Sequence, residues 1–331
     1  MTTRPVLAVD IGGTKFAASI VEPDGTLRAR TVVPTPSSID TATVAAALTT
    51  LVSQVVAQGP PGQLGALGVG SAGPVNPAAG TVSPVNIPAW RDFDVLAALR
   101  PLLPGRPAVL AGDAHCMAFG EYHHGRSRPA AMLGIVVSTG VGGGLVLNGD
   151  VLSGATGNAG HIGHVVVDID GPPCPCGGRG CVETFASGPA IVRQARGYGW
   201  TAGDGPADAR AVAAAARDGH PAARAAYRRA GRAVAAGIVS AAALIELDEV
   251  VIGGGVAGAG DLLFTPIRRS IAELAGLPFV RQVRVSQSQL GGDAGLLGAA
   301  ALAFAAAGRS DRRDAALAHG RRRAWRHPGG S

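Results

Sequence analysis

Glycine placement constrains this chain more than any other feature. Three glycine-rich runs each follow directly on a short apolar stretch. Ile11-Gly12-Gly13-Thr14 follows Val6–Asp10, Thr139–Gly144 follows Met132–Ser138, and Gly253-Gly254-Gly255 follows Glu249–Ile252. The stretches are rich in β-branched residues and too short for helices, so they read as strands. Glycines behind a strand leave backbone N–H groups free and permit conformations closed to other residues. A strand, a glycine turn and a second strand open each half of the chain. This predicts two α/β domains, and 331 residues suffice for two cores.

The rest of the pattern agrees. Phe16–Val21 and Leu27–Val33 extend the first turn into three antiparallel strands. Apolar residues at helical spacing predict helices over 41–57, 92–99, 113–122, 189–198, 208–218, 221–244, 262–274 and 294–307. Further strands are predicted over 64–70, 108–111, 145–147 and 283–286. Hydrophobic residues at 47% and charged residues at 16% exclude a disordered chain. Aromatics at 4% exclude stacking platforms for single-stranded nucleic acid. Four cysteines are too few for a disulfide scaffold. No apolar run is read as reaching the length of a membrane span, and no signal-peptide stretch precedes Val6. The expectation is a cytoplasmic protein with no membrane or nucleic-acid partner. The formal net charge of +6 sits almost wholly in 308–331, which is arginine-rich and reads as a solvated, disordered basic tail.

Several residues carry chemistry. Asp10-Ile11-Gly12-Gly13-Thr14-Lys15 joins two strands. Its glycines suit phosphate oxygens, and Asp10 at a strand end suits Mg²⁺ held through water. A tight hairpin that needs glycine for its geometry would look the same. Lys15 is the sole lysine in the chain, against a background in which every other basic residue except histidine is arginine. His164 with Cys174, Cys176 and Cys181 makes a Cys₃His set for zinc, and four protein ligands make such a site structural. A disulfide would leave an odd cysteine in that loop. Asp113, behind the strand at 108–111, suits a general base, and an N-cap suits it equally. Cys116 falls on an apolar helix face and reads as core.

Together these segments resemble the ROK family (repressor, open reading frame, kinase), particularly its bacterial glucokinases, within the actin-like/hexokinase superfamily. The matching segments run in order from Asp10–Lys15 through Gly68–Pro74, Asn86–Trp90, Gly112–Ala114, Ser138–Gly144, Gly157–His164, Cys174–Ser187 and Gly253–Gly258 to Gly292–Ala300. The resemblance implies two actin-like (ribonuclease H-like) α/β domains around a central cleft, with a zinc-stabilised loop. The implied domains are 1–112, completed by a helix at 294–307, and 113–293, followed by the tail at 308–331.

The resemblance also implies roles. Asp113 is the base that deprotonates the sugar hydroxymethyl group. Asp10, Gly12, Gly13, Thr14, Lys15, Thr139, Gly140 and Gly142 bind the phosphates of Mg²⁺-ATP, and Gly254 and Gly255 take the adenosine. Asn86, Gly112, His161, His164 and Glu183 fall at substrate positions, and His164 is also a zinc ligand. The partners are a small sugar or cyclitol and ATP, and homodimers are common in the family. Two positions depart from the family pattern: Gly112 stands where Asn is usual, and His161 where Glu is usual. Both changes remove a hydroxyl partner, which points away from ordinary glucose toward a modified amino sugar (kanosamine-like) or a C7 cyclitol. A catalytically silent sugar-binding relative is the other reading.

Overall fold

The computed structural model describes residues 4–59 and 62–324. The chain divides into two compact units: one runs to Gly112 and resumes at Leu296, and the other spans Asp113–Gly295. The first crossing falls between Gly112 and Asp113.

The first unit is built on β1 (Val6–Ile11), β2 (Lys15–Val21) and β3 (Leu27–Pro34), then α1 (Thr41–Ala57) and β4 (Leu67–Ser71). Three short strands follow, β5 (Val75–Asn76), β6 (Thr81–Val82) and β7 (Phe93–Asp94), with α2 (Val95–Leu99) and β8 (Ala108–Gly112) behind them. The main sheet has the order β3-β2-β1-β4-β8. β1 pairs antiparallel with β2 and parallel with β4, which makes it central. A central strand buried on both faces needs an unbroken apolar run, and in β1 only Asp10 is less than fully buried. The edge strand β3 instead alternates exposed and half-buried residues at period two. β5, β6 and β7 form a separate small sheet that the sequence pattern did not reveal.

The second unit begins with α3 (Asp113–His124), β9 (Ala131–Val137), β10 (Val141–Leu147) and β11 (Asp150–Val151). Helices α4 (Glu183–Ala186), α5 (Gly188–Gly197), α6 (Ala209–Arg217) and α7 (Pro221–Ile245) follow, then β12 (Glu249–Gly253), α8 (Asp261–Leu274), α9 (Pro278–Arg281) and β13 (Arg284–Gln287). Its sheet order, β11-β10-β9-β12-β13, repeats that of the first unit strand for strand, with the same antiparallel and parallel pairings. Each unit has its own core, built mainly of Ala, Val, Leu and Ile.

Three sequence expectations change. β10 starts at Val141 and not at 145, so Gly142, Gly143 and Gly144 lie inside a strand paired with β9. The last helix, α10, runs over Ala294–Ala324 and not 294–307. Backbone expected to be a disordered tail is therefore helical over 308–324, where Ala, Arg and Leu are strong helix formers; residues 325–331 lie outside the described residues. Finally, Gly291–Arg309 is long and apolar enough by composition to cross a membrane. Its apolar side chains have a use within the first unit, where Leu296, Ala299, Ala300 and Ala303 are buried.

That docking depends on Gly68 of β4. A Cβ there would lie 2.0 Å from the Ala299 carbonyl oxygen of α10. Backbone cannot yield as a flexible side chain does, so Gly68→Ala should lower unfolding stability by about 1–3 kcal/mol or prevent folding. Urea denaturation followed by circular dichroism checks this; unchanged stability would mean that α10 is not held against β4.

Candidate functional site

The zinc candidates form one cluster in the second unit. One ligand atom from each of His164, Cys174, Cys176 and Cys181 lies within 4.8 Å of all the others. Around a tetrahedral zinc with Zn–S bonds of about 2.3 Å, neighbouring sulfurs stand roughly 3.8 Å apart. Cys176 Sγ and Cys181 Sγ are 3.8 Å apart, and Cys174 Sγ is 3.8 Å from His164 Nδ1. The residues therefore fit the ion. Tight turns create this convergence. The Cys174 N–H donates to the Gly178 carbonyl and the Gly177 N–H to the Cys174 carbonyl. Gly180 has φ +65°, and a Cβ on it would strike the Asp168 carbonyl oxygen at 1.6 Å. Burial and the neighbouring thiols push Cys181 up to about 12. The Gly178 N–H holds Cys176 below the usual thiol range. Such a crowd of thiols wants a cation.

The cluster extends into the next elements. His164 ends a short 3₁₀ turn, Ile162–His164, and the His161 ring stacks on the His164 ring at 5.9 Å. Burial and His164 lower the His161 pKa, outweighing the opposite pull of Glu183, so its imidazole is neutral near pH 7. Glu183 opens α4, directly after the zinc loop. Its Oε2 accepts the Val141 N–H at 2.8 Å, at the first residue of β10. A Cβ on Gly140 would meet the same oxygen at 2.7 Å. Glu183 thus ties the zinc loop to the turn at 138–140, which holds Thr139 and Gly140. Gly142 lies beyond that turn, within β10.

Asp113 is the first residue of α3 and is half-buried. Its Oδ1 accepts the Ala114 N–H at 2.7 Å. The helix sits unusually close to the sheet. A Cβ on Gly144 would lie 2.6 Å from the His115 Cα, and one on Gly134 would lie 2.6 Å from the Ala118 Cβ. Cys116 is fully buried, as a core residue is.

Thr139 and Gly255 line one cavity of about 590 Å³ in the second unit. Gly254, beside it, has φ +90°, and a Cβ there would lie 2.3 Å from the Val137 carbonyl oxygen. Two loops picked out from the sequence therefore converge. The remaining wall comes from one face of α5 and the start of α6, including Pro189, Val192, Arg196 and Arg210. Sequence reading missed these four. The phosphate-type signal lay only in the glycines, while this wall is ordinary amphipathic helix.

In the first unit, Asp10 is the last residue but one of β1 and Lys15 opens β2. Burial pushes the Asp10 carboxyl up to about 6 against the pull of Lys15. The turn between them is closed by a bond from the Gly12 N–H to the Lys15 carbonyl, and the Thr35 N–H donates to the Thr14 carbonyl. A Cβ on Gly13 would lie 2.4 Å from the Asn86 Cβ, so the Asn86 loop rests on this turn. Trp90 anchors that loop: it is fully buried and stacks with Phe16 at 5.8 Å and Phe93 at 4.4 Å. Gly112 closes β8, opposite Ser71 of β4.

The ROK family model matches residues 6–306. An N-acetylmannosamine kinase of Citrobacter koseri is 39% identical over 300 residues, covering 90% of this chain and 98% of that protein. A glucokinase of Streptomyces coelicolor is 34% identical over 312 residues, covering 90% and 96%. Among solved structures, a ROK family glucokinase from Streptomyces griseus in complex with glucose and AMPPNP superposes with a TM-score of 0.79. It is 33% identical, with 91% of this chain and 99% of that one covered. The α/β fold class and the family read from the sequence both stand.

Two outcomes follow from the site geometry. Purified protein should carry one zinc per chain by elemental analysis, and Cys181→Ser should lose most of it with a lower thermal midpoint; full zinc in that variant would remove Cys181 from the set. For Asp10, the folded pKa of about 6 lies above the ordinary aspartate value of 3.8. The stability its proton contributes is complete below the lower value and lost as pH rises through the upper one. Asp10→Asn should therefore gain on the wild type by roughly 2–3 kcal/mol between pH 4 and pH 8. Denaturant titration of nucleotide-free protein measures it; a difference that stays flat with pH would refute the burial cost.

Proposed function

The chain belongs to the ROK family, and on that premise we propose that it is an ATP-dependent kinase for a 2-acylamino hexose of the N-acetylmannosamine type. It phosphorylates the terminal hydroxymethyl oxygen. Asp113 accepts the hydroxyl proton as that oxygen bonds to the γ-phosphorus and the bond to ADP breaks. The backbone N–H groups of Gly13 and of the Thr139-Gly140 turn are suited to the phosphate oxygens, with Lys15 adding positive charge. Mg²⁺, when bound, neutralises phosphate charge, and Asp10 is the residue suited to hold it through water. The four zinc ligands anchor the loop that carries Glu183 and His161. Clustered reduced thiols suit a reducing compartment, which supports the cytoplasm as its place of work.

The observation that carries the acceptor class is His161. It lies stacked on the zinc ligand His164, where the family resemblance places a carboxylate. A carboxylate only accepts hydrogen bonds, whereas a neutral imidazole donates one and accepts one. An acyl carbonyl requires a donor, and His161 supplies it. The N-acetylmannosamine kinase at 39% identity supports the same acceptor. The glucokinases support glucose as the second reading. A free amine or a cyclitol hydroxyl makes less use of an imidazole donor than an acyl carbonyl does.

Steady-state kcat/KM on N-acetylmannosamine, glucose, kanosamine and a C7 cyclitol decides between them, with products mapped by NMR. The expected preference for N-acetylmannosamine over glucose is at least about tenfold, the worth of one well-placed hydrogen bond. His161→Glu should reverse the order. Dominant turnover on glucose by the wild type would sink the acylamino reading. Asp113→Asn should lower kcat by about 10²–10⁴-fold while sugar and ADP still bind, as for loss of a general base; unchanged turnover would remove Asp113 from that role.

A further inference from the structure

The cavity shared by Thr139 and Gly255 has a chemical oddity. A cavity of about 590 Å³ is of ligand size, and nucleotide bases are commonly gripped by stacking. None of the residues lining this one is aromatic. The planar groups available are peptide planes and arginine guanidiniums. The Gly254-Gly255 backbone offers one flat face with no side chain over it.

Arginines dominate the polar part of the opposite wall. Arg193 is committed, since its Nη2 donates to the Thr184 carbonyl at 3.0 Å. Nearby arginines outside the cavity are committed too: Arg217 reaches the Gly258 and Ala259 carbonyls, and Arg229 lies over the Phe185 ring. Arg196 and Arg210 both line the cavity, and among the described residues neither side chain makes a hydrogen bond or ion pair. They sit on firm supports. Arg196 is in the last turn of α5. Arg210 is in the first turn of α6, which Asp208 caps through the Ala211 N–H. The buried Tyr227 hydroxyl also donates to the Ala209 carbonyl at 2.9 Å, fixing that turn to α7.

We propose that Arg196 and Arg210 are the base-recognition residues of the phosphate donor, their guanidinium planes holding a purine against the Gly254-Gly255 backbone. This rests on the reading that the cavity takes the nucleotide end of ATP. The adenosine end of ATP is uncharged, so unpaired cations there serve as planes. Guanidinium stacks on a π face as a flat, weakly hydrated cation; a lysine ammonium keeps the charge and loses the plane.

Calorimetric binding of ADP to the full chain tests it, with inorganic tripolyphosphate as a competitor lacking a base. The variants are Arg196→Ala, Arg210→Ala, both together, each residue to Lys, and Gly255→Leu. Gly255 has open space at its Cβ position, so the leucine would fill the cavity without backbone strain. The double alanine variant should weaken ADP at least tenfold with sugar affinity unchanged. Each lysine variant should bind about as poorly as the matching alanine one, and tripolyphosphate should compete alike with all. Rescue by lysine would overturn the proposal, since charge and not the plane would then matter. If Gly255→Leu blocks ADP while the arginine variants bind normally, the cavity reading stands and the proposal falls. If none of the variants changes ADP binding, both fall.

Discussion

The close approach of α3 to β9 and β10 underlies the arrangement of the second unit. Gly134 and Gly144 leave no room for even a methyl group between the helix and the sheet. Such contacts exchange side-chain packing for fixed backbone distance, and close-packed interiors transmit small displacements and do not absorb them. Asp113 opens this helix, so its position is set by backbone against backbone. The same β10 begins at Val141, where Glu183 holds its first N–H. Glu183 in turn follows the Cys₃His cluster directly. A continuous path of short, stiff contacts therefore joins the Cys₃His cluster, the turn at 138–140 and the strand against which α3 is pressed.

The first unit solves the same problem with different residues. Gly68 admits the backbone of α10 onto β4, and Gly13 admits Asn86 onto the β1–β2 turn. The two sheets share strand order and pairing direction without a shared residue pattern that could be read as a repeat. The common element is physical. In each sheet the strand that pairs antiparallel on one side and parallel on the other is buried on both faces. It is a nearly continuous apolar run, and in both sheets a glycine-containing turn follows it.

Much of this was legible in the sequence. β1, β9 and β12 announce themselves as apolar runs before glycine, and the Cys₃His set reads directly from its spacing. The starts of α5 and α6 were close to their predicted places because Ser187 and Asp208 are N-caps. The glycines of 142–144 were misplaced in a turn because sequence alone does not distinguish a glycine needed for φ from one needed for proximity. Only the neighbours separate the two, and Ala114 and His115 come from another element. The reach of α10 past 307 was lost for a different reason. Gly308 and a rise in charge look like an ending, whereas helix propensity on both sides outweighs one glycine. The wall of the cavity was illegible because its arginines matter through what they do not bind, a property that belongs to the folded surroundings.

Composition then bears on recognition. With aromatics at 4% of the chain, the large buried rings among the described residues are spent on structure. Trp90, with Phe16 and Phe93 around it, anchors the Asn86 loop, and Phe185 carries Arg229. Little aromatic surface is left over for a ligand. Contacts that other proteins make with rings must here be made by exposed peptide planes at glycine, by guanidiniums and by imidazoles. Glycine backbone and arginine are sequence-cheap in a chain already rich in both, but each is selective in its own way. A peptide plane offers fixed donors and acceptors, a guanidinium offers donors alone, and a neutral imidazole offers one of each. His161 brings a side chain that can both give and take a hydrogen bond beside the zinc loop, and that capacity is where discrimination between acceptors has room to arise.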